Sequence, residues 1–198
     1  MRKKYTGEIR IDREALFKQL KKIPKHRVVF VCSMNDLFAE KVPKAYIFNI
    51  IGMANHIDDG NRIFLFQTKN PRRMIEFFPY FPPKSILGTT IESNRELIKT
   101  EAPPPIERYK AMKELREKIN IHKNPYKLMV NIEPILDFDL EVMVKWMSDI
   151  RPDFISIGAD SKHKNLPEPS TEKVKSLIQE LEGISEVRLK KNLGRLLD

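Results

Sequence analysis

Six short apolar runs in this chain each hand over to side chains that can bind charge or move protons. In order, the handovers read Ser33-Met34-Asn35-Asp36, Gln67-Thr68-Lys69-Asn70, Thr89-Thr90-Ile91-Glu92, Asn131-Ile132-Glu133-Pro134, Gly158-Ala159-Asp160-Ser161-Lys162 and Leu189-Lys190-Lys191-Asn192. Carboxylates set beside lysines clamp a charged ligand and shift one another's proton affinity, which is the requirement for acid–base work. One polar run-end is ordinary, because strand ends face solvent. Six in succession point to a site, with Asp36, Lys69, Glu92, Glu133, Asp160 and Lys190 expected to converge on one pocket.

The elements that must position these residues follow from the spacing of apolar side chains. Strands are expected over 28–32, 62–67, 85–90, 127–132, 154–157 and 186–189. Each is rich in β-branched or aromatic residues and apolar on both faces, as in a buried parallel sheet. Helices are expected between them over 43–56, 71–78, 106–119, 140–150 and 171–181, with a further one over 13–22. Pro43 and Pro71 suit a first helical turn, and Ser170 or Thr171 and Asp139 suit N-caps. Val142, Met143, Trp146 and Met147 form an apolar stripe after Asp139. This alternation predicts one α/β domain with parallel strands: a partial (β/α) TIM-like barrel, a complete one, or an open doubly wound sheet. No G-x-G-x-x-G or phosphate-loop lysine follows a strand, which argues against a dinucleotide or nucleoside-triphosphate fold.

Composition narrows the function classes. The chain has 198 residues, 41% of them hydrophobic and 32% charged, with a formal net charge of +9. That is ordinary for a soluble globular domain, and no apolar run is long enough to cross a membrane. The first residues are basic but lack the apolar segment of a secretory signal. A cytoplasmic protein is expected, since one cysteine cannot form an internal disulfide. The positive balance favours anionic partners, nucleic acid included, although no aromatic-interleaved basic motif accompanies it.

The single cysteine, Cys32, continues an apolar run and reads as packing. His26, His56, His122 and His163 supply neither a base at useful spacing nor a metal-ligand pattern with it.

The strings VFVCSMNDLFAEKVP, FQTKNPRRM, LGTTIES, VNIEPILDFDLE and ISIGADS, in that order, resemble a phage- and archaea-associated family related to radical S-adenosylmethionine enzymes. Its corresponding blocks are F-V-x-S-M-x-D-L-F, L-T-K-R-P, G-V-S-V-E, I-E-P-L-L and V-G-G-E-S. Each block is weak alone; five in order are fairly specific, and they run from about Val28 to the C-terminus. The resemblance implies a partial barrel over 28–198, distantly akin to spore photoproduct lyase, behind an N-terminal helical extension over 1–27. In such enzymes a C-x3-C-x2-C loop or a variant holds a 4Fe–4S cluster, whose free iron binds S-adenosylmethionine. Cluster ligation by thiolates is obligatory there, and this chain has one cysteine. Residues 1–27 are too short and polar for the missing strand, cluster loop and helix. No iron–sulfur cluster is therefore expected from this chain alone.

If S-adenosylmethionine binding persists, the resemblance assigns it to Ser33 and Asp36, where the radical enzymes use a Gly-Gly-Glu strand end for the amino group. Thr90 and Glu92 match the family's Ser/Glu pair for ribose or carboxylate contacts, and Lys69 and Glu133 would line the same mouth. Three readings follow. The chain binds a small ligand or anionic partner without radical chemistry; or it is the barrel half of an enzyme completed by a cluster-bearing second chain; or it is a basic nucleic-acid-binding, repair-associated module.

Overall fold

The computed structural model describes residues 28–161 and 164–198. The helix expected over 13–22 lies outside the described residues. The strands are β1 (Val28–Val31), β2 (Ile63–Thr68), β3 (Ser85–Thr90), β4 (Lys127–Ile132), β5 (Phe154–Ile157) and β6 (Glu186–Leu189). The helices are α1 (Lys44–Ile57), α2 (Pro71–Glu76), α3 (Pro105–His122), α4 (Leu140–Ile150) and α5 (Thr171–Glu182). Short 3-10 turns cover Phe78–Tyr80 and Lys191–Leu196.

All six strands are parallel and lie side by side in chain order. Crossovers of one hand between neighbours in chain order keep the helices on one face. The packing agrees. Phe64, Phe66, Leu87, Leu128, Val130, Ile132, Ile155 and Ile157 share one core with helix residues such as Ile47, Met112, Met147 and Leu177. The alternate strand residues Ile86, Met129 and Phe154 form a separate small cluster on the other face, with Leu65 against it. A parallel sheet of this order with its helices on one face is a partial TIM-like barrel, open between β1 and β6 among the described residues, and all carboxyl strand ends share one rim.

The strand positions match the apolar runs, but the outer strands are not buried on both faces. Val28 is 57% exposed and Phe30 45%, and β6 is largely exposed, because each edge strand has a neighbour on one side alone. Pro43 stands just outside α1 rather than in its first turn. Pro71 opens α2, which stops at Glu76 and gives way to the 3-10 turn. Ser170 caps α5, accepting from the Lys173 N–H at 3.4 Å. Asp139 precedes α4 but its carboxylate does not cap it; it is drawn away to Arg95 and Asn94. The buried stripe of α4 is Met143, Trp146, Met147 and Ile150, with Val142 outside it at 37% exposure.

Candidate functional site at the carboxyl rim

The chain leaves β1 through Cys32, whose φ of 55° is in the left-handed region, and turns with Asn35 N–H on the Cys32 carbonyl at 3.0 Å. Ser33, Met34 and Asn35 are exposed on this turn. Asp36 ties it to β2. One carboxylate oxygen accepts from Phe38 N–H at 3.0 Å and Thr68 Oγ1 at 2.6 Å, and the other accepts from Lys69 N–H at 2.9 Å. Cys32 is half-buried against the core. Burial, and secondarily the Asp36 charge, push its thiol up, so it is held as neutral thiol and not as thiolate.

At the end of β3 stands a second group. Glu92 is 5% exposed. One of its oxygens pairs with Lys69 Nζ, and the other accepts from Arg108 Nη1 at 2.7 Å. Arg108 comes from the buried stripe of α3, among Ala111, Met112, Leu115 and Ile119, and is itself 2% exposed. Its guanidinium also donates to the carbonyls of Pro103 at 2.7 Å and Thr90 at 3.0 Å. Thr90 Oγ1 accepts from Gln67 Nε2 at 3.0 Å. A carboxylate bonded by two cations in this way is fixed in direction.

Glu92, Lys69 and Arg108 lie on the floor of a cleft of about 370 Å³, a volume in the range of small-molecule sites. Its wall is the β3–α3 connection, including Leu97, Ile98, Thr100 and Pro104. That wall is pinned by Arg95, which pairs with both Asp137 and Asp139. Asp139 is pulled down to about 2 by its bonds from Arg95 and then from Asn94. Lys173 reaches the same Asp137 from α5, so the β3–α3 and β4–α4 connections and the first turn of α5 are locked together across the rim.

Glu133 stands in a third group, apart from the cleft lining. It pairs with Lys190 and accepts from Asn192 Nδ2 at 3.1 Å. Asn192 Nδ2 also donates to the Ala159 carbonyl at 2.8 Å. Gly158 makes this group possible: a Cβ there would sit 2.7 Å from a Glu133 carboxylate oxygen and 3.0 Å from Asn192 Oδ1. Gly158→Ala is expected to displace Glu133 and to lower stability by about 1–3 kcal/mol, read as a fall in the denaturant midpoint; an unchanged midpoint would show that the pocket yields. Asp160 is held elsewhere, its N–H on Glu168, which Arg195 binds in turn. That arginine bond is the main cause of the lowered Glu168 proton affinity.

The structure thus distributes the expected single pocket over separate groups. Lys69, Thr90 and Glu92 share one, connected to Asp36 through the Lys69 backbone; Glu133 and Lys190 share another; Asp160 belongs to the 158–168 loop; Ser33 lies exposed on the first turn. Lysine–glutamate pairing divides the rim: Lys69 and Glu92 join the ends of neighbouring β2 and β3, and Lys190 reaches across the end of β5 to Glu133. Arg108 and Arg95 were not legible as site residues; Asn192 stood in the last strand-end string without being assigned a role. The one signal for Arg108 was a charged residue on the apolar stripe of its helix. Among the described residues no cluster of histidine, cysteine or carboxylate side chains is placed to hold a metal ion, and no helix is long and apolar enough to cross a membrane.

Residues 1–119 match the family described as "Protein of unknown function (DUF5131)". No curated protein matches the chain. Among solved structures, it is similar to a mutant spore photoproduct lyase with bound AdoMet and dinucleoside spore photoproduct. The TM-score is 0.52 at 11% identity, over 86% of this chain and 50% of that one. The chain therefore spans about half the length of that structure. At this identity the likeness is one of fold: a partial α/β barrel.

Proposed function

We propose that this chain, which belongs to the DUF5131 family of proteins of unknown function, binds a small ligand, S-adenosylmethionine, at the carboxyl rim of its partial barrel. The observation that carries the reading is the buried Glu92 carboxylate, fixed by Arg108 and Lys69 on the floor of the cleft. A fixed carboxylate accepts hydrogen bonds from ribose hydroxyls, and Lys69, paired with Glu92 but 40% exposed along its side chain, has further N–H donors for the ligand's carboxylate. Leu97, Ile98 and Leu136 supply apolar wall for the rest of the molecule. The fold likeness to a lyase with bound AdoMet supports the choice of ligand.

The residues do not fit an iron–sulfur cluster. Three thiolates are needed, the chain has one cysteine, and that thiol is biased toward its neutral form. No radical step is assigned to this chain's own residues. The exposed edge strand β1, with Val28 and Phe30 open, favours a second reading in which a cluster-bearing chain joins there. The +9 charge likewise favours an anionic partner such as nucleic acid, whose binding would fall steeply with salt.

Calorimetric titration with S-adenosylmethionine tests the proposal. One equivalent is expected to bind with Kd below about 1 mM. Glu92→Gln is expected to weaken it roughly 10-fold or more, from the loss of a charge-assisted bond. Absence of binding by the wild-type chain at several times that concentration would overturn the reading.

A further inference from the structure

Among the described residues, strand β6 has β5 on one side and no strand on the other. Which of its backbone groups face that open edge follows from the pairing with β5. Lys190 N–H donates to the Ile157 carbonyl at 2.8 Å, and Ile157 lies in register with Leu189. Along a strand the N–H and C=O of one residue point to the same side, and successive residues alternate sides. Lys190, Arg188 and Glu186 therefore turn theirs toward β5, while Val187 and Leu189 turn theirs to the open edge.

The side chains alternate between the two faces. Arg188 lies on the helix-free face, its guanidinium carbon 3.8 Å from the Phe154 ring centre. Glu186, on that same face, accepts from Arg188 Nε at 2.8 Å and Nη2 at 3.2 Å, and both residues are exposed. On the helix side Val187 packs against the core, and Leu189 beyond it is 48% exposed. Edge strands commonly deter a second sheet with lysines, a proline or a bulge. The four residues of β6, EVRL, include no proline, pair with β5 in unbroken register, and carry one charge of each sign two residues apart.

That charge pattern is self-complementary. About a two-fold axis at Val187, an antiparallel copy sets Glu186 opposite Arg188 of the second copy and Arg188 opposite its Glu186. Val187 then meets its own counterpart, and their outward N–H and C=O groups exchange hydrogen bonds. The charged pairs fall at the non-hydrogen-bonded positions, where Cα atoms stand about 4.5 Å apart and side chains come closest. Docking on β1 offers no such match, because its residues VVFV carry no charge.

We propose that β6 is a self-association edge, at which two copies of this chain join antiparallel into one sheet of twelve strands, six from each. The axis stands perpendicular to the sheet. The helices of both copies thus stay on one face, and the two carboxyl rims open at opposite ends. Four residues per copy cover far less than the roughly 800 Å² per partner of a stable interface. The dimer is accordingly weak and reversible, with Kd on the order of 100 μM. None of this depends on a ligand at Glu92.

Sedimentation equilibrium of the full chain, from about 10 μM to about 1 mM so as to span that constant, tests the proposal. Wild type is expected to pass from monomer to dimer and no further. Glu186→Arg sets arginine opposite arginine, and Arg188→Glu sets glutamate opposite glutamate. Each alone is expected to weaken the dimer roughly tenfold or more. An equimolar mixture of these two variants restores both opposite-charge pairs and is expected to form a heterodimer with about the affinity of wild type. The double variant Glu186→Arg with Arg188→Glu is expected to regain the homodimer. Both positions are exposed, so the variants keep the thermal midpoint of wild type and the change in mass reports the contact. Amide exchange at Val187 is expected to slow as concentration rises, while exchange at Arg188, which faces β5, stays constant. A wild-type chain that is monomeric throughout would overturn the proposal. So would single reversals that dimerise like wild type, a mixture that associates no better than its components, or slowed exchange confined to β1, which would place the contact there.

Discussion

Arg108→Met is expected to lower stability by about 3–5 kcal/mol, a drop on the order of 10 °C in the thermal midpoint for a chain of this size. The cost comes from what the substitution leaves behind. Arg108 is 2% exposed and its guanidinium serves Glu92 and the carbonyls of Thr90 and Pro103. Without it, a carboxylate that is 5% exposed keeps Lys69 as its remaining partner, and two carbonyls lose their donor. Removing one member of a buried pair is far worse than removing both, because the orphaned charge stays desolvated. The double substitution Arg108→Met with Glu92→Leu is therefore expected to recover most of the loss, as Lys69 can swing into solvent. Parallel thermal scans of the two variants check this. Equal midpoints for both would show that the arginine acts through packing alone. Ligand binding at the cleft should be lost in both, since neither presents Glu92 in its fixed direction.

Phe38→Ala is expected to cost about 3–5 kcal/mol as well, by a different route. Phe38 is 1% exposed, and its ring lies 6.5, 6.2 and 6.1 Å from those of Phe66, Phe77 and Phe81. It is the anchor that seats the β1–α1 connection on the core. Two residues before it, Asp36 holds Thr68 and the Lys69 backbone. The cavity left by Phe38→Ala should loosen that tether, so hydrogen exchange at the Lys69 amide is expected to accelerate together with the fall in midpoint. A midpoint within about 1 °C of wild type would show that the surrounding rings collapse to fill the space. Phe38→Leu should lie between the two.

The apolar runs in the sequence carried the architecture with little loss. The strands at 85–90, 127–132, 154–157 and 186–189 and the helix at 140–150 match the observed elements residue for residue. The reason is local: a β-branched run of four to six residues between turn-forming or polar segments has one stable arrangement, and parallel pairing follows from the helices in between. Burial of the outer strands was misjudged, since Val28 and Phe30 look as apolar as their counterparts in β3 while only the sheet order says which strand has one neighbour. Asp139 shows the same limit in a cap: its type suits the N-terminus of α4, yet Arg95, 44 residues earlier, takes its carboxylate instead.

By itself the sequence determined that six parallel strands would gather their polar ends on one rim, because chain order and hydrophobic period are properties of nearby residues. Only the tertiary structure decided which of those ends meet. Lys69 chose Glu92, Lys190 chose Glu133, and Arg108 entered from a helix to fix the first pair. Such choices depend on strand register, on the reach of long side chains and on burial, which act between residues far apart in the chain and leave no mark in local spacing.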